Sequence, residues 1–157
     1  MHMTQRRVFA AVLMGGLSAG VLDIVYAFVL AAMRNGTPLR TLQSVASGVL
    51  GKSAYAGGIA TGALGLALHL AITVAAAWIY GATATRSRFM QRHVLACGAL
   101  FGVLVYLFMN FVVLPLSAVP FRVNYTAAVI FQGFVSHALL VGLPIAWCLR
   151  RFAAPAP

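Results

Sequence analysis

Apolar and polar positions alternate along this chain on the scale of whole segments. Four long apolar runs, at about 8–32, 58–80, 94–116 and 127–149, are separated by short stretches that hold most of the charge. Each run covers a hydrocarbon core of about 30 Å at a helical rise of about 1.5 Å per residue. The pattern predicts an all-α protein, an integral membrane four-helix bundle built as one domain over 1–152, with 153–157 as a short disordered tail. A fifth element falls between spans 1 and 2. Thr37 as N-cap and Pro38 at the first helical position open a helix over about 38–51. Its Leu39, Leu42, Ala46 and Val49 recur at helical spacing, while Arg40, Gln43, Ser44 and Ser47 point elsewhere. This segment reads as an amphipathic helix, lying on the outer leaflet or re-entrant. It either seals the bundle end or acts as a lid over a cavity.

Composition supports the membrane class. Hydrophobic residues make up 62% of the chain and charged ones 8%, against about 25% charged in an ordinary soluble domain. The net charge of +10 does not point to nucleic acid, because the bases fall in the gaps between apolar runs and no nucleic-acid motif is present. Seven of them (Arg6, Arg7, Arg86, Arg88, Arg92, Arg150, Arg151) lie on one side and four (Arg34, Arg40, Lys52, Arg122) on the other. The positive-inside rule then puts both termini in the cytoplasm of a bacterial inner membrane. The basic start followed by an apolar run is read as a retained helix and not a cleaved signal. Trp78, Tyr80 and Trp147 fall where interfacial aromatics gather. Cys97 and Cys148 lie in the cytoplasmic halves of their spans and are expected as reduced thiols.

Polar residues inside the spans carry the candidate chemistry. Asp23, in GVLDIVYAF, is the only carboxylate side chain of the chain. Left alone in hydrocarbon it would cost several kcal/mol, so it pairs or takes up a proton. Its helical neighbours Gly16, Ala19, Gly20, Tyr26 and Ala27 form a small-residue face that turns it toward protein. His69 shares a stripe with Gly58, Gly62, Gly65 and Thr73. Gly98, Gly102, Tyr106 and Asn110 follow one another in steps of four, and His137 lies a turn from Gly133. Counted from the outer ends, Asp23, His69, Asn110 and His137 fall within about five residues of one another, roughly 7.5 Å in depth. This polar layer, with Tyr26 and Tyr106, is the candidate proton- or ligand-handling site. Three readings of it stay open: proton or ligand handling, helix-packing glue, and a haem b or metal site on His69 and His137, with Asp23 as a third metal ligand.

The pairs Gly16/Gly20, Gly58/Gly62 and Gly98/Gly102 are candidate helix-packing sites, within one bundle or across a homodimer. Pro144, near the end of span 4, is expected to kink its helix and free a carbonyl. His2 and His93 read as solvated. No catalytic motif appears, and one acid excludes paired-carboxylate catalysis within the chain. The expectation is a non-enzymatic, transport- or proton-linked membrane protein whose surroundings are the lipid bilayer, or otherwise a membrane scaffold. An acid in the first of four spans is similar in that one respect to small multidrug transporters, whose other hallmarks are missing.

The segments LQSVASGVLGKSAYAGG, GLALHL and GVLVYLFMNFVVLPLS resemble those of small bacterial inner-membrane proteins of the YagU family. Members of that family are implicated in acid resistance. The resemblance implies an inner-membrane location and assigns no residue a role.

Overall fold

Backbone N–H and C=O groups in hydrocarbon have no water to bond, so each apolar run satisfies them internally as a helix. In the computed structural model, which describes residues 5–153, these helices follow in chain order: α1 (Gln5–Ala32), α2 (Pro38–Leu50), α3 (Gly58–Ala84), α4 (Arg88–Arg92), α5 (Val94–Leu116) and α6 (Ala127–Phe152). Four of them, α1, α3, α5 and α6, are long and apolar enough to cross a membrane. The chain is an all-helical, multi-pass membrane protein, and no strand occurs among the described residues. α1 starts three residues before the expected limit and α3 runs four beyond it, through polar flanks that still continue the helix. Helix also includes Ala153, where the tail was expected to begin. The rest of that tail, and His2, lie outside the described residues.

α1 packs between α3 and α6, and α5 packs on α6. The ring closes near the ends of α3 and α5 where Tyr80 meets Phe101 edge to face, with centroids 5.0 Å apart. Tyr80 is therefore a core side chain, 2% exposed, and not the interfacial aromatic its position suggested. It faces inward because Ala76, Ala77 and Ala84 on the same side leave room for one large ring. Trp78 and Trp147 do point outward. The core uses small residues, and large ones such as Val21, Val25, Leu100 and Phe108 stay on the outside. That inversion suits a lipid solvent, in which apolar side chains gain nothing by turning in and packing decides association.

Glycine sets the closest approaches. A Cβ on Gly102 would strike the His137 carbonyl, and one on Gly142 would strike the Gly98 backbone, so α5 and α6 touch main chain to main chain. Gly16 meets Val74 and Gly20 meets Thr73, which places that pair between α1 and α3. Gly62 packs on Leu39 of α2. Gly58 is expected at a packing face, yet a Cβ there would meet nothing within 4 Å, and its φ is +58°. It begins α3 at an exposed turn that needs a left-handed backbone.

α2 also differs from expectation. Thr37 caps it, accepting from the Arg40 N–H at 3.2 Å. The side turned to protein, however, carries Gln43 and Ser47, while Val49 is 65% exposed. Gln43 Nε2 donates to the Gly58 carbonyl at 3.1 Å, tying α2 to the first turn of α3. Gly65 lets the Leu42 carbonyl come into contact with α3. The segment is a packed wedge whose inward side mixes Gln43 and Ser47 with the fully buried Ala46. Its far end is tied to the loop after α5 by the Ala118 N–H bond to the Gly48 carbonyl, 2.9 Å.

Both prolines within spans are taken up by wide π turns. Met109–Val113 precedes Pro115, and His137–Gly142 precedes Pro144. Each turn closes with an i→i−5 bond, Leu114 N–H to Met109 O and Leu143 N–H to Ala138 O. A proline cannot donate to the carbonyl four residues back, and a π turn redistributes the bonds around that gap. The second turn begins at His137.

Candidate functional site: one acid and two histidines

α1 and α3 approach through Gly20, and this brings His69 against the α1 backbone. His69 Nε2 lies 2.9 Å from the Gly20 carbonyl. A carbonyl only accepts, so Nε2 carries the hydrogen and donates it. In the neutral ring Nδ1 then keeps the lone pair. Asp23 Oδ2 stands 3.9 Å from the same Nε2, an ion pair only when the ring is protonated and the one such contact among the described residues. The two side chains keep 19% and 13% of their surface exposed, Asp23 the larger share. At 3.9 Å the contact is electrostatic and not a hydrogen bond.

His137 enters from α6 at the start of the wide turn. Its Nδ1 lies 3.1 Å from the Gly133 carbonyl and 3.3 Å from Ser136 Oγ. By the same reasoning Nδ1 donates to Gly133, and Nε2 keeps the lone pair in the neutral ring. The ring stands edge to face on Tyr106 of α5, with centroids 5.1 Å apart. Tyr106 fits because Gly133 has no side chain in its way. His137 sits within Coulombic range of both Asp23 and His69. Three titratable groups from α1, α3 and α6 therefore converge inside the bundle.

Tyr26 and Gln132 bracket this cluster on the side nearer α2. Gln132 Nε2 donates to the Tyr26 hydroxyl at 2.8 Å, joining α6 to α1. On the other side lie the tightly packed Val141, Ile145, Ala77 and Tyr80. The cluster has a polar roof and an apolar floor.

Asn110 does not join it. Its Nδ2 donates to the Tyr106 carbonyl of its own helix at 2.9 Å. Tyr125, in the loop before α6, donates to the Asn110 carbonyl at 3.1 Å. The residue sits in the first wide turn and serves the helix end instead of the polar layer.

No group of three or more His, Cys, Asp or Glu among the described residues is arranged to hold a metal ion. The three-ligand metal reading of Asp23, His69 and His137 is thereby set aside. One nitrogen of each ring is already committed to a carbonyl. For the haem b reading, the lone pairs left for axial ligation are His69 Nδ1 and His137 Nε2.

Gln132, Ser136 and Thr73 were not singled out as site residues from the sequence. Gln132 and Ser136 share the inner face of α6 with His137, and that helical spacing was the available signal. No protein-family model, curated protein or solved structure matches the chain.

Proposed function

We propose that the chain is a proton-handling, transport-linked protein of the bacterial inner membrane, with both termini cytoplasmic. The supporting observation is the 3.9 Å approach of Asp23, the only side-chain acid, to His69 inside the bundle. An ionised carboxylate there is costly unless a cation sits beside it. Protonating His69 makes the pair, and protonating Asp23 removes the need for it. A proton can therefore reside on either group, or on His137 Nε2, with small rearrangement. Gly20 and Gly133 carbonyls hold the two rings in fixed tautomers, which keeps one acceptor nitrogen open on each. The Tyr26–Gln132 bridge controls access from the α2 side.

The test is proton flux in liposomes carrying the purified chain, wild type against Asp23→Asn. The expected result is flux lost in Asp23→Asn with the helical fold kept. Undiminished flux in a folded Asp23→Asn protein would overturn the reading, and loss of the fold would favour helix-packing glue.

A further inference from the structure

A cavity of about 1470 Å³ opens at the end of the bundle where the first and last described residues lie. Arg6 of α1, Arg86 after α3, Arg88 of α4 and Arg150 of α6 all line it. The chain has one carboxylate side chain to set against eleven basic residues. That carboxylate, Asp23, lies 17 residues from Arg6 along α1, about 26 Å at the helical rise. It also stands beside His69. No carboxylate side chain of this protein can therefore neutralise the four guanidinium groups. Arg86 spends one N–H on the Ala82 carbonyl at the end of α3, 2.6 Å away. Among the described residues no carboxylate faces that guanidinium.

The wall of the cavity is apolar where it meets the core, at Val12, Tyr80 and Leu149. On the bundle perimeter it is bounded by Phe9 and Trp78, which meet edge to face at 6.4 Å and stay 53% and 56% exposed. Aromatic rings of this kind sit at the headgroup level of a membrane. A basic rim, an apolar wall and a lipid-side aromatic border fit an amphiphile whose head is a phosphate. Arginine forks match phosphate oxygens in pairs, and basic pockets between spanning helices take anionic headgroups.

We infer that this cavity binds a phosphate group, carried by an anionic phospholipid that enters past Phe9 and Trp78. The inference does not depend on the role assigned to Asp23.

Trp78 provides the readout. In nanodiscs, with Trp147→Phe removing the other indole, quenching by brominated phosphatidylglycerol is compared with brominated phosphatidylcholine. The expected result is preferential quenching by the anionic lipid, reduced about fivefold each by Arg88→Gln and Arg150→Gln, at about 1 kcal/mol per basic residue. Arg86→Gln should act alike, and the other two variants carry the test if loss of its bond to Ala82 unfolds it. Arg122→Gln, at the opposite end, should leave the preference unchanged. If no lipid preference appears but inorganic phosphate raises the thermal midpoint of wild type and not of Arg88→Gln, the phosphate site stands and its ligand is soluble. Absence of both effects, or an equal effect of Arg122→Gln, would overturn the inference.

Discussion

Asp23 Oδ2 and His69 Nε2 face each other at 3.9 Å while that nitrogen donates its hydrogen to the Gly20 carbonyl at 2.9 Å. The histidine is thus anchored to main chain through Nε2. His69→Gln keeps an N–H able to reach Gly20, whereas His69→Ala removes it. Thermal unfolding in detergent should show His69→Ala destabilised by about 1–2 kcal/mol and His69→Gln by less. Both variants should impair proton flux in liposomes, since neither side chain titrates.

The backbone contact between α5 and α6 makes a sharper demand on size. Gly102→Ala sets a methyl against the His137 carbonyl, which cannot move without the helix. A loss of about 3 kcal/mol is expected. Gly58→Ala meets nothing within 4 Å and should cost only about 1 kcal/mol from its left-handed backbone. Unfolding in mixed detergent ranks the two, and equal losses would contradict the packing described.

Gln43 joins the wedge α2 to the start of α3. Removing its amide in Gln43→Leu leaves the Gly58 carbonyl without that donor. The expected cost is about 1–2 kcal/mol. Hydrogen exchange should quicken in α2 and the first turn of α3 and stay unchanged around Tyr80.

The Tyr26–Gln132 bond predicts a coupling. Tyr26→Phe and Gln132→Leu should each cost about 1 kcal/mol, and the double variant should lose less than their sum. Additive losses would show that the two side chains do not depend on each other.

The span positions were legible because apolar runs of membrane length are bounded by charge. Asp23 and His69 were legible as neighbours of small residues, which mark where helices meet. The burial of Gln43 and Ser47 was not, because a periodic pattern identifies two faces of a helix without saying which one meets protein. Here the inward side straddles the two, with Ala46 beside Gln43 and Ser47, and Gln43 reaches the Gly58 carbonyl of α3. Asn110 matched the others in depth, but depth along a helix says nothing about a loop tyrosine that folds back to claim the site. The cavity at the chain ends was hidden because Arg6, Arg86, Arg88 and Arg150 are far apart in sequence. There they were read only as a topology signal.

Gly133, His137, Val141 and Ile145 recur every four residues along α6. On a regular α-helix each step of four over-rotates by about 40°, so Ile145 would drift about 120° from Gly133. The wide turn at His137–Gly142, with more residues per turn, offsets part of that drift. The surplus residue thus acts as a phase corrector. Deleting Leu139 would leave the length and hydropathy of the span nearly untouched and still turn His137 out of line with the acid.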